Sequence, residues 1–286
     1  MTTTAADGFT QLVVHLLAHV QRPGPGDLFS PRHIAWSEAH FRPATSAQLH
    51  DDAAVLSALW AASPALDLLD ALPALHTSLS AYRRTAARAL SELTERDVAQ
   101  PDLLRALHHL GPAAELVHAM LGLLVDEFAR VHDTLVTPLV VTACERISTW
   151  LDPLADSIPA LATERIEVVW ALGDHGRVMP GRLLVGVGDS PDDLTPVVVA
   201  VHEHAVRTSG HEAHERAEWS ALVHGARWLR EAPSPLREAQ ARWLARLDLS
   251  ELIEAALADE AVDGDTATAL EHDPPERAAR LSALPG

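Results

Sequence analysis

Imidazole and carboxylate side chains crowd one short stretch of the chain. His202, His204, His211, His214 and His224 fall close together, with Glu212, Glu215 and Glu218 among them. If Pro196 to Val206 forms a strand, His202 and His204 share one of its faces. Several metal enzymes present two imidazoles in this way and draw a third ligand from elsewhere. On a helix beginning after Ser209, His211, Glu215 and Glu218 align at spacings of four and three, with His214 at the flank. Such a site would hold zinc or iron on His202, His204, His211 and His214. Glu215 or Glu218 would serve as ligand or general base, which suits a metal-dependent hydrolase or oxygenase.

The same residues support a plainer reading. Seventeen histidines in 286 residues give about one H-x-H by chance, and the chain has one. Neither His202-Glu203 nor His214-Glu215 is followed by the second His of H-E-x-x-H. A polar junction between sheet and helix accounts for the cluster without a metal. Glu115 and His118 match one half of a carboxylate-bridged diiron motif, and the other half is missing. His15 with His19, and His108 with His109, read as helix-surface or boundary residues. Cys144 sits mid-helix and reads as an inert thiol. Ser190 stands in a turn rather than a nucleophile elbow.

A second use of the same region is recognition. An edge strand at 196–206 could pair with an extended peptide through its main chain, with Val197, Val199 and Val201 on one face. Trp219 and Trp228, on the helix that follows, would supply side-chain pockets. The same edge could pair with a second copy of the chain and make a homodimer.

Composition narrows the field further. The formal net charge is −18, which argues against an electrostatic grip on nucleic acid or an anionic membrane. All 22 basic residues are Arg, and the chain has no Lys and no Asn. That removes Schiff-base, P-loop and Ser-Lys chemistry, and any Cys-His-Asn set. With abundant Ala, Leu, Arg and Pro, it is also the composition of a GC-rich bacterial coding sequence. The single cysteine and the lack of a secretory signal in the first residues lead us to expect a cytoplasmic location. The most apolar run, Leu116 to Val125, is far short of the ~20 residues that span a bilayer.

The elements that must position these residues follow from periodicity. Helices are expected at about 9–20, 46–62, 76–94, 102–110, 112–132 and 138–150, with a loop through Phe29, Trp36 and Phe41. Val-rich segments at 166–172, 182–187 and 196–206, separated by Gly, Asp and Pro turns, are expected to form strands. Ser209 and Glu212 match a capping box for a helix to Arg230, and Ser234-Pro235 opens a last one. The fold class expected is α+β: an N-terminal helical bundle, then a small three-stranded antiparallel sheet packed against two C-terminal helices. The expected division is a bundle at 1–162, a small α+β unit at 163–258 and an acidic, loosely ordered tail at 259–286. No complete catalytic set assembles from these residues. The favoured expectation is therefore a non-catalytic accessory protein that binds a peptide or protein and carries no cofactor, with the metal enzyme as the alternative.

Overall fold

The computed structural model describes residues 1–20, 31–62, 101–179, 181–209, 214–247, 249–250, 253–254 and 257. The expected helix at 76–94 and the expected tail at 259–286 lie outside the described residues.

The protein is α+β, but its sheet is four-stranded and mixed rather than three-stranded and antiparallel. The strands are β1 (Thr2–Ala5), β2 (Arg165–Val168), β3 (Gly176–Met179) and β4 (Arg182–Val185), in the order β1-β2-β4-β3. β1 runs parallel to β2 from Thr2↔Arg165 to Ala5↔Val168, and β2 runs parallel to β4. Only the β3–β4 hairpin is antiparallel. β1 escapes sequence reading because Thr2-Thr3-Thr4-Ala5 carries no apolar alternation. Its partner, some 160 residues away, completes it by supplying the hydrogen-bonding edge, while its own side chains stay largely exposed. This pairing carries the start of the chain across the expected division at residue 162.

Period-two alternation sorts the sheet's two faces. Ile166, Val168, Leu183 and Val185 join one core with α5 (Thr137–Leu154) and α6 (Thr195–Ser209). On the opposite face, Leu184 packs with Val14 and Ala18 of α1 (Gly8–Ala18). That face also buries the ion pair Glu167–Arg182, whose Oε2 and Nη1 lie 2.5 Å apart. α1 starts at Asp7, whose carboxylate accepts the Thr10 amide at 2.9 Å. Its residues from Phe9 through Ala18 are all buried. α1 is thus an interior helix, covered by the sheet on one side and by other helices elsewhere.

Those other helices are α2 (Pro31–His40), α3 (Pro43–Ala62) and α4 (Pro101–Val131). α2 occupies the segment expected to be a loop, with Pro31 at its first position, where a missing N–H costs least. α4 runs straight through Pro112, where two helices were expected. Gly111 precedes the proline without a Cβ to clash with its ring, so one hydrogen bond is lost and the helix persists. A π-helical turn at His132–Val136 joins α4 to α5.

The largest correction concerns residues 196–206, which are helix rather than strand. Val197 to Val201 are all buried, because α6 is wrapped by the sheet, α5, α7 (His214–Leu229) and α8 (Ser234–Arg246). An apolar run buried on every side loses the periodicity that separates helix from strand. What decides is the start. The Asp193 carboxylate accepts from the Thr195 amide at 3.0 Å and its hydroxyl at 2.7 Å, and Pro196 sits in the first turn. Val197, Val199 and Val201 therefore form no edge for a peptide or a second copy; the outer strands are β1 and β3. Ser209 ends α6 instead of capping the next helix.

Candidate metal centre

Helical geometry disperses the histidines expected to form a site. Two residues apart on a helix, His202 and His204 point about 200° apart. The His202 ring packs 5.2 Å from Trp243 of α8, and the His204 ring lies 5.6 Å from Trp228 of α7. His204 is 1% exposed, and its Nδ1 meets Glu164 Oε1 at 2.8 Å. Arg207, one turn on, donates to the other Glu164 oxygen at 2.6 Å. The result is a buried imidazole–carboxylate–guanidinium chain that ties α6 to the start of β2. His211 lies outside the described residues. His214, Glu215, Glu218 and Trp219 are placed by the backbone of α7 alone. Among the described residues, none of these joins a group able to chelate an ion.

A different trio does. His15 of α1 and His19, the residue that caps its C-terminal end one turn on, meet His33 near the start of α2. One ligand atom from each ring lies within 4.8 Å of the other two, and no other such group exists among the described residues. The His15 and His33 ring centroids are 4.2 Å apart at 78°, an edge-on contact. Three donors around a tetrahedral ion at about 2.05 Å would stand about 3.3 Å apart, so small rotamer changes close the site.

Burial explains why these imidazoles can act as ligands. His15 is fully buried and His33 is 2% exposed. Phe41, Phe128 and Trp170 stand 5.3, 5.0 and 5.9 Å from the His15 ring, and Trp170 is 4.4 Å from His33. Desolvation, then its two histidine neighbours, drives His15 well below the usual imidazole range. Burial lowers His19 to about 4, helped by His50. Burial also lowers His33 to about 3, with His19 adding to the effect and the His15 backbone opposing it. All three are therefore neutral at pH 7, with lone pairs free for a metal.

Hydrogen bonding leaves the same conclusion. Both ring nitrogens of His15 are buried without a hydrogen-bond partner, and those of His33 have no well-formed one, only a weak contact with the His15 backbone. Every neutral imidazole carries an N–H donor, so at least two donors are stranded in an apolar site, at ~1–3 kcal/mol each. Only Ser37 offers polar company. Its hydroxyl donates to the His33 carbonyl at 3.0 Å, leaving its oxygen to accept from His19 Nε2 at 3.2 Å. The neighbouring buried carboxylate, Glu127 of α4, is held by Arg42 and Arg130.

Sequence reasoning placed His15 and His19 on a surface or boundary; the structure overturns that for His15, which is fully buried, and leaves His19 half-buried at the helix end. Their signal was present: an H-x-x-x-H pair inside Leu12-Val13-Val14-His15-Leu16-Leu17-Ala18-His19, a helix too apolar to be solvated on any face. His33 gave no signal, because its segment was read as loop. Elsewhere, Glu115 is exposed. Burial pushes the Cys144 thiol up to about 11, in keeping with an inert side chain.

Among the described residues, no helix is long and apolar enough to cross a membrane. Compared with protein-family models, curated proteins and solved structures, the chain matches none.

Proposed function

We propose that this protein binds a divalent transition-metal ion of the zinc class through His15, His19 and His33. The observation that carries this reading is the convergence of three neutral imidazoles, two buried and one half-buried, the two buried ones without a well-formed hydrogen bond at either ring nitrogen. Coordination would engage the unpartnered lone-pair nitrogen of His15 and of His33, and the remaining N–H of each would still need an acceptor. Imidazole donors suit zinc, copper, nickel or iron, and the lack of thiolate or carboxylate in the set argues against calcium and magnesium. The chain's net charge of −18 favours capture of a cation at long range.

The test is direct. Untagged, metal-stripped protein titrated with zinc should bind one equivalent, and at a hundredfold excess over Kd its folding stability should rise by about 2.7 kcal/mol. His33→Ala should bind at least a hundredfold more weakly. Stoichiometric binding that survives His33→Ala, or no binding at all, overturns the proposal.

A further inference from the structure

One serine hydroxyl joins the two segments that carry the triad. Ser37 lies one turn after His33 on α2 and is 1% exposed. Its Oγ stands 3.0 Å from the His33 carbonyl oxygen and 3.2 Å from His19 Nε2. The two contacts differ in kind. A carbonyl oxygen only accepts, so the single hydroxyl proton goes to His33. What Oγ turns to His19 is a lone pair, and a lone pair pairs only with a ring nitrogen that bears hydrogen. A neutral imidazole has one N–H and one lone-pair nitrogen. With the proton on Nε2, the lone pair of His19 sits on Nδ1, the nitrogen nearer its own backbone.

Building on the metal reading above, we infer that Ser37 is a positioning residue: its hydroxyl fixes the Nε2–H tautomer of His19, and His19 therefore ligates the ion through Nδ1. Metal-binding imidazoles are commonly oriented by a hydrogen bond at their other ring nitrogen, to a carboxylate, carbonyl or water, and here a hydroxyl takes that part. Ligation through Nε2 would strip that nitrogen of its hydrogen and break the contact with Ser37, leaving a buried oxygen lone pair unmatched. The bond from Ser37 to the carbonyl one turn back is internal to α2, so the hydroxyl travels with the helix that carries His33. His19 follows the last residue of α1, and its ring is held by α2 as well as by its own backbone. One side chain thus sets two of the three ligands relative to each other.

Nuclear magnetic resonance of the full-length, metal-stripped protein labelled with nitrogen-15 tests this. Two-bond nitrogen–proton correlations distinguish the imidazole tautomers, and the signals lost in His19→Gln identify that ring. At about pH 7.5, His19 of the unsubstituted protein should show a single Nε2–H form. One equivalent of zinc should then shift the His19 Nδ1 resonance and leave the Nε2–H in place. Ser37→Ala should turn the single form into a mixture of tautomers and weaken zinc binding about two- to tenfold. Ser37→Thr, which keeps the hydroxyl, should restore both. His19 protonated on Nδ1 in the metal-free protein, or zinc arriving at Nε2, overturns the inference while sparing the metal site. A single Nε2–H form that persists in Ser37→Ala overturns the role of Ser37. If Ser37→Ala does not fold, the spectra of the unsubstituted protein still decide the tautomer and the ligating nitrogen. Zinc that shifts none of the three rings removes the metal reading itself, and the Nδ1 assignment falls with it.

Discussion

Two buried histidine clusters lie in this molecule, and their surroundings give them opposite chemistry. At the junction of α6 and β2, His204 faces the Glu164 carboxylate, and Arg207 balances that carboxylate from the other side. Between α1 and α2, His15 and His33 face each other and a set of aromatic rings, with no acid paired to either ring among the described residues and no well-formed hydrogen bond at either. The first site meets one His204 nitrogen, Nδ1, from within and leaves Nε2 without a partner. The second has demand left over. A buried histidine is thus informative only together with its partners: a carboxylate holds His204, whereas His15 and His33 face other imidazoles and aromatic rings.

Acid should break the comparison most forcefully. The triad's folded-state values lie below the ordinary 6.5, at about 4 for His19, about 3 for His33 and well below the ordinary value for His15. As pH falls past 6.5, the unfolded chain takes up protons before the folded one does. The triad therefore leaves stability intact above pH 6.5 and erodes it as pH drops towards 4. Each imidazole contributes a slope of about 1.4 kcal/mol per pH unit. His202, lowered to about 4 by burial, adds to the same slope. Urea denaturation of the metal-free protein across pH 4–7.5 checks this, and His33→Leu should reduce the slope by about one proton. An unchanged slope in that variant would show that His33 is already charged in the fold.

Next in size is the separation of binding from stability. His15→Ala should weaken zinc binding by at least a hundredfold, while His204→Ala and His202→Ala should leave it within about threefold; calorimetric titration distinguishes them. If His204→Ala abolished binding without unfolding the protein, the clusters would not be independent.

A matched pair of substitutions sharpens the contrast further. His204→Leu removes one partner of a buried carboxylate and should cost about 2–3 kcal/mol. His15→Leu in the metal-free protein removes two orphaned nitrogens and fills the space with an apolar side chain. It should stabilise by about 1 kcal/mol. Opposite signs from the same change are expected in denaturant midpoints at pH 7; equal signs would erase the distinction between the clusters. The smallest effect belongs to Ser37→Ala, which frees His19 Nε2 and should alter zinc affinity by only about two- to tenfold.

Much of the fold was legible because it rests on local pattern. The helical stretches near 9–18 and 46–62 declare themselves through apolar spacing and breaks, and the strand at 182–185 through its β-branched and Leu content flanked by glycine. Other elements failed for identifiable reasons. The Val-rich run of α6 is buried on all sides, so its pattern carries no period, and only Asp193, Thr195 and Pro196 mark it as a helix start. β1 has no apolar signature and exists by pairing with β2. The sequence-expected site dissolved with the strand that was to carry it, since His202 and His204 share a face only in extended backbone.

By itself, the chain determined its charge, the chemistry that the absence of Lys and Asn excludes, its mixed helix-and-strand character and the spacing of His15 and His19. Those are properties of composition and of contacts within a few residues. Tertiary structure alone decided that α1 would be interior, that α2 would bring His33 within reach of it, and that aromatic rings would pack against His15 and His33. The reason is physical. Burial and partnership are set by segments far apart in sequence, and an imidazole's charge and ligating power follow from burial and partnership rather than from the residues beside it.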